Sequence, residues 1–434
     1  MPQKIYYGPQ TKAALKNFPF SIPPLPFELI AALVEIKQAA ARANRQAGLL
    51  DSRRAGAIAR ACAEILAGKH DSQFPVPSLQ GGAGTSINMN VNEVIAGRAA
   101  EILKRSVHPN DHVNKSQSTN DVNPSALKIA AIRLTREFLL AGDCLVLELK
   151  KKAREFRNAL KLGRTHLQDA VPTTLGAEFS SYAAVAARNQ SRVREVLPYL
   201  RELNLGGTAI GDCLNAPPKY RRAVYRELKK ITKLALRPAG NLMSQTSSQA
   251  DFVMLSAVLE IFTLDLSKIA SDLRLLSSGP RGGFGEIKLK ELQPGSSIMP
   301  GKINPVLPEA ANQLHYLVYG NHSSIVQAAR DSQLELGVMG PIIADRLIES
   351  LKLTAQVCRQ FARECVAPLS ANIKVCREHL EQGTAYSTLL TPLLGYDAVS
   401  RAVKEALKTG KTLRQAIIDK GLLTQKQFDD IVRK

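Results

Sequence analysis

The chain has 434 residues, of which 45% are hydrophobic and 22% charged. It is long enough for a sizeable core and ordinary in composition for a soluble globular protein. Its 58 Lys and Arg outnumber 38 Asp and Glu for a formal charge of +20, but they are spread along the sequence with only short clusters such as Lys150 to Lys152. No recognition motif accompanies them, so the charge reads as a solvated basic surface that steers anions, and a nucleic-acid partner is not expected.

Ala and Leu dominate, which favours helix over sheet. A Pro-rich lead, SIPPLPFE, precedes a helical pattern from about Phe27 to Leu49 that Leu50, Asp51 and Ser52 end, and a second amphipathic helix runs to about Leu66. QGGAGTS (Gln80 to Ser86) then breaks the pattern as a loop, with Thr85, Ser86 and Asn88 at its mouth. The next polar segment, HPNDHVNKSQSTND, ends in Ser118, Thr119 and Asn120 just before a long helix. Such a cluster is an ordinary N-cap, and it is also where backbone N–H groups favour a carboxylate. His108 and His112 stand four apart, but Pro109 argues against a helical turn there and no third ligand is near, so no metal is expected.

Long helical stretches follow at roughly 124–156, 174–197, 245–277, 308–330 and 337–368. In one of them Leu255, Leu259, Phe262, Leu266, Ile269, Leu273 and Leu276 recur at spacings of four and three, a heptad seam. It spans roughly 33 Å at 1.5 Å per residue, the length of a bundle helix. Between these helices lie GRTHLQDAVPTTLG, with Thr165 and His166, and GSSIMPGKINPVLPE, with Ser296, Ser297, Lys302, Asn304 and Glu309. The latter packs Pro294, Gly295, Pro300, Gly301 and Pro305 around two serines, a lysine and an asparagine, a combination that suits a mobile lid over an anion. After about Ala371 the helices shorten, and Thr412 with Gln415 and Thr424 with Gln427 have capping-box spacing.

GSSIMPGKINP resembles the signature loop of the fumarase/aspartase superfamily, and the other three segments resemble its remaining active-site regions in the same order, from about Tyr6 to the C-terminus. The resemblance implies an all-α fold with a helical N-terminal domain (1–116), a central bundle (117–370) and a small C-terminal domain (371–434). It also implies a homotetramer in which each active site draws on three chains, so that a lone monomer is inactive. QGGAGTS, STNDV, THLQDAVP and KINPVLPE look more like the aspartate ammonia-lyase branch than the class II fumarase branch.

The chemistry so implied removes a proton next to a carboxylate, through a dianionic aci-carboxylate, and expels a leaving group from the neighbouring carbon. Ser296 is the candidate base, with Lys302 stabilising its alkoxide, and His166 and Glu309 would form an imidazole–carboxylate pair. Thr85, Ser118 and Thr119 would hold one carboxylate, and Thr165, Lys302 and Asn304 the other. Ser297 is a further substrate contact of the lid, and Asn120 and His166 would lie near the leaving group. Arg105, His108, Asn110 and Asp111 would form a secondary dicarboxylate site. No cofactor is expected. A class II fumarase, a lyase for an N-substituted aspartate and a non-catalytic descendant stay open. The chain departs from its relatives at Asn123, Asp212, Cys213, Gly337, Gly340 and Thr391. The N-terminus lacks the pattern of a signal or transit peptide, no apolar run reaches membrane-spanning length, and six scattered cysteines without a CxxC pair read as free thiols, so the expected location is the cytoplasm.

Overall fold

A computed structural model of the chain describes residues 4–432, so Arg433 and Lys434, the end of the last expected helix, lie outside the described residues. The fold is helical, as expected. The helices that matter for the site are α1 (Pro9–Asn17), α2 (Phe27–Gln46), α3 (Ser52–Leu66), α4 (Thr85–Leu103), α5 (Thr119–Glu155), α6 (Leu175–Leu200), α7 (Pro218–Thr232), α8 (Leu242–Ser247), α9 (Ala250–Leu276), α10 (Val306–Arg330) and α11 (Gly340–Gln360). The expected stretch 245–277 is two helices, because Ser248 is extended between α8 and α9. Among the described residues no helix is long and apolar enough to cross a membrane.

The chain divides into two compact units. One consists of Met1–Leu139, Ser191–Phe262 and Tyr316–Ala355, and the other of Leu140–Gln190, Thr263–His315 and Gln356–Lys434. In the first, α2 packs on α3 and α7, and α4 packs on α3. Glu93 of α4 accepts from the backbone N–H groups of Gly8, Gln10 and Thr11, so a buried carboxylate satisfies the otherwise orphaned donors at the start of α1.

The second unit contains a feature that the sequence reading did not foresee: where GRTHLQDAVPTTLG was read only as a polar segment between helices, residues 160–174 form an antiparallel hairpin of β1 (Leu160–Thr165) and β2 (Gln168–Thr174). Thr165 pairs with Gln168, so His166 and Leu167 are the two turn residues, both left-handed at φ 56° and 61°. That is the geometry of a two-residue hairpin turn, here made without glycine. Leu162 of β1 enters the small C-terminal core with Leu380, Tyr386, Leu390, Val399, Ile417 and Phe428. The helices of that core are capped as their spacing suggests. Thr424 and Gln427 make the full reciprocal box, whereas Thr412 accepts from Gln415 N–H while the Gln415 side chain turns to Asp419.

All seven seam residues of α9 are buried within the single chain. A second stripe on the same helix, Met254, Ile261, Leu264 and Leu275, is exposed. On α5, Leu140 (67% exposed), Cys144 and Leu147 (51%) stand at spacings of four and three on the outside. The seam therefore builds the chain's own core, and it is other faces that stay open.

Candidate active site

In the first unit the site is built around the N-terminus of α5. Ser118 Oγ accepts from Asn120 N–H at 3.3 Å, so it caps the helix and keeps its own proton to donate. Pro124 has no N–H to give to Asn120 four residues earlier, and the freed Asn120 carbonyl is met by Asn204 Nδ2 at 3.0 Å. Asn120 Nδ2 in turn donates to Ala209 O at 2.8 Å, which leaves its Oδ1 as the outward acceptor. Asp121, fully buried, accepts from the N–H groups of Ser118, Gly206 and Thr208 and so ties this turn to the glycine loop at 206–208. Burial pushes the Asp121 carboxyl up to about 6 against those three donors, and burial brings the neighbouring Lys37 ammonium down to about 7.

Thr85 and Asn120 face one cleft of about 540 Å³ together with Gln80, Gly82 and Met339. Thr119 and Asn120 also border a small apolar cavity of about 40 Å³ lined by Leu25, Leu29, Ile87, Leu127, Phe252 and Pro341. Three of the departures lie at these walls. Asn123 Nδ2 donates to Gly84 O at 3.0 Å, and a Cβ on Gly84 would come within 2.4 Å of that nitrogen, so Asn123 and a bare Gly84, left-handed at φ 85°, belong together. A Cβ on Gly337 would sit 1.9 Å from Gln249 Nε2, so the amide of Gln249 fills that space. Nothing lies within 4 Å of a Cβ on Gly340. The other departures lie in local structure: Asp212 accepts from Leu214 N–H in an exposed turn, Cys213 Sγ faces Arg221, and Thr391 bonds back to Ser387 O.

In the second unit the loop 295–304 is pinched at its neck. Gly295 N donates to Lys302 O at 2.8 Å and Asn304 Nδ2 donates to Gly295 O at 2.8 Å; a Cβ on Gly295 would lie 2.3 Å from Lys302 O, so only glycine allows the closure. Inside the loop, the N–H groups of Ile298 and Met299 both donate to Ser296 Oγ at 3.2 Å. Ser297 and Lys302 are exposed, and Ile298 is 83% exposed at the tip. Two amides aimed at one hydroxyl oxygen stabilise negative charge there.

Thr165 and His166 sit exposed on the hairpin. Behind them Glu286, fully buried, binds Arg164 at 2.7 Å, Lys161 at 2.8 Å and His379 Nδ1 at 3.1 Å. Burial alone would raise the Glu286 carboxyl, but Lys161, with His379 and Arg164, outweighs burial and lowers it. His166 and Glu309 are not hydrogen-bonded to each other among the described residues. Glu309 stands in the first turn of α10, where the helix dipole favours it, and accepts from Gln313 Nε2 at 3.3 Å.

The expectation that Pro109 prevents a helical turn is wrong. Residues Pro109–Val113 form one wide turn of π-helix, since proline is tolerated at a first helical position whose N–H has no partner anyway. His108 caps it: Nδ1 accepts from the N–H groups of Asn110 and Asp111, and His108 N donates to His112 Nδ1 at 2.8 Å. An Nδ1 accepting two amide protons is not protonated, so its 3.2 Å approach to Asp111 is not an ion pair in that state. Arg105, His108, Asn110 and Asp111 are all exposed on this one segment.

Sequence reasoning missed Lys37, Asn114, Asp121, Lys161, Arg164 and Glu286. The one visible signal was a charged residue inside an apolar helical run, as with Lys37 in LVEIKQAAA.

A family model described as a lyase matches residues 2–320, and one described as the fumarase C C-terminus matches residues 387–434. An aspartate ammonia-lyase from a Bacillus species is 42% identical, with 100% of this chain and 94% of that protein covered. A class II fumarate hydratase from Bradyrhizobium diazoefficiens is also 42% identical, over 100% of this chain and 93% of its own length. A fumarate lyase:delta crystallin from Brucella melitensis, solved bound to cobalt, superposes with a TM-score of 0.96 at 42% identity, covering 100% and 96% of the two chains.

Proposed function

Since the chain belongs to the aspartase/fumarase family of lyases, we propose that it eliminates ammonia from L-aspartate to give fumarate. The reading is carried by Ser296: a serine whose oxygen already receives two backbone N–H groups, on a glycine- and proline-hinged loop that also brings Lys302 and Asn304. Such a hydroxyl can act as an alkoxide base once Lys302 closes over it. It takes the proton from the carbon next to one carboxylate. The electron pair moves into that carboxylate, which Thr85, Ser118 and Thr119 hold as the aci-form, and returns to form the double bond as ammonia leaves. Thr165, Lys302, Asn304 and Ser297 bind the other carboxylate. The Oδ1 of Asn120, left as an acceptor by its Nδ2 bond to Ala209, suits the N–H of an amino group. His166, beside it, pairs with Glu309 of another chain. Arg105, His108, Asn110 and Asp111 remain our reading of a secondary dicarboxylate site.

Four copies assemble so that each site takes segments from three chains. The exposed stripes on α5 and α9, with Ile298 and Leu167 bare on lid and hairpin, support burial against other copies. The free thiols fit a cytoplasmic setting.

A second reading, a lyase for aspartates carrying a small apolar N-substituent, is favoured by the cavity of about 40 Å³ that adjoins Asn120 and opens at Gly340. One panel tests both: aspartate, malate, fumarate with and without ammonia, and N-alkyl aspartates, followed at the fumarate absorbance. Aspartate should turn over and malate should not; the reverse overturns the first reading. If N-alkyl aspartates also react, Gly340→Leu should cut their kcat/KM by about tenfold or more and leave that of aspartate within about threefold, since removing room for a few methylenes is worth that much. No reaction with any N-alkyl aspartate removes the second reading.

A further inference from the structure

Lys37 is the longest charged side chain with no exposure, and its place in the fold is close to the anion-binding turn without touching the cleft. Its Nζ donates to Asn114 Oδ1 at 2.7 Å. Asn114 Nδ2 donates to Gln117 O at 3.2 Å, so both ends of that amide are fixed and its oxygen faces inward. Asn88, also buried, places Nδ2 3.4 Å from the same Asn114 Oδ1 and 3.1 Å from Thr119 Oγ1. Asn88 Oδ1 has no partner among the described residues, whereas Nδ2 reaches both of these acceptors.

We infer that Lys37, Asn114 and Asn88 form a buried polarity relay that forces the Thr119 hydroxyl to act as a donor toward the substrate carboxylate. The inference rests on the reading of Thr119 as a carboxylate contact. The steps follow from what each group can do. An ammonium has donors only, and even as a neutral amine Lys37 must donate to the carbonyl oxygen it meets at 2.7 Å. Asn114 therefore presents an acceptor to Asn88. Asn88 answers with its NH₂, whose second hydrogen is directed at Thr119 Oγ1. Thr119 Oγ1 accepts from inside, and no acceptor for its own proton is found among the described residues. That proton is left for the space beside Asn120, the residue through which the small cavity bordered by Thr119 adjoins the cleft. A hydroxyl free to rotate would spend part of its time accepting, which repels an anion; this one is held in the donating sense before substrate arrives. The three are positioning residues, not catalytic ones.

The test is a double-mutant cycle read by calorimetry with succinate, a dicarboxylate that cannot react, on the full-length assembled protein, with melting by circular dichroism as the check on folding. Thr119→Val should weaken succinate by about tenfold or more, the worth of a hydrogen bond to a charged group. Asn88→Asp is nearly isosteric but reverses the relay, because a carboxylate accepts the threonine proton and draws it away from the cavity; it should weaken succinate by about as much. In the Thr119→Val background Asn88→Asp should add less than about twofold, since additivity fails where one residue acts through another. A merely structural Asn88 would cost the same in both backgrounds, and that outcome overturns the relay while the carboxylate reading stands. If Thr119→Val leaves succinate within about twofold, the carboxylate reading falls and the relay with it. Should Asn88→Asp not melt cooperatively, Asn88→Ala replaces it: an about two- to fivefold loss that disappears beside Thr119→Val supports the relay, and an undiminished loss overturns it.

Discussion

Ser296→Ala should lower kcat by about 10³-fold, the range expected when a positioned general base is removed, while succinate affinity and oligomeric state stay unchanged. The alanine keeps the loop's backbone closure through Gly295, Lys302 and Asn304 and deletes only the oxygen on which the Ile298 and Met299 N–H groups converge. Loss without a change in binding separates a group acting on the transferred proton from one holding a carboxylate. Residual kcat above a tenth of the parent would remove Ser296 as the base. The same variant tests the sharing of sites. Mixed, dissociated and reassembled with Thr119→Val, itself impaired, it should regain roughly a quarter of the parent activity, because random assortment puts intact segments from different chains into some sites. No recovery after proven mixing would mean that one chain supplies both groups.

The second large effect lies away from the reacting atoms. Glu286→Leu should destabilise the protein by roughly 3 kcal/mol, measured by urea unfolding, because it takes from the partly buried Arg164 the carboxylate it binds and leaves the buried Lys161 with Glu178 as its remaining anion. It should also reduce turnover, since Arg164 is the residue before Thr165 and His166 on the strained hairpin. Glu286→Gln, which keeps an acceptor and loses the charge, should fall between. A loss below about 1 kcal/mol for the leucine variant would show that the buried cluster relaxes without cost. The pH dependence has a definite sign. The folded-state carboxyl of Glu286 is lowered, so its contribution is present above the ordinary glutamate value of about 4.5 and disappears as the pH falls through the folded value. Parent and Glu286→Leu should therefore converge in acid and differ by a constant amount above about pH 5.

The helices were legible because their apolar residues recur with a period that no other structure satisfies; α9 shows this best, with every one of its seven seam residues buried. The loop 295–304 was legible for the opposite reason, since prolines and glycines crowd a segment that also holds Ser296, Lys302 and Asn304. Residues 160–174 were not, because Gly163 and Pro172 interrupt any alternation and the turn carries His166 and Leu167 where a glycine would advertise it. The seam reads as core packing in a bundle, and its burial within the single chain agrees, although a heptad says only that a partner helix exists, not whose it is. The support beneath the site was invisible for a further reason. Lys37, Asn88, Asn114 and Thr119 come from three separate segments, and nothing in their spacing says that one hydrogen bond leads to the next.

For the proposed assembly, the outward row of Leu140, Cys144 and Leu147 supplies a dissociation clock. Cys144 is the exposed thiol of a lone chain and Cys213 is half-buried against Arg221, whereas burial holds those of Cys62 and Cys365 up near 12, too sluggish to compete for a maleimide. In the tetramer we propose, copies close over that row and the reagent must wait for them to part, so the pace of labelling at this position becomes the pace at which the assembly breathes.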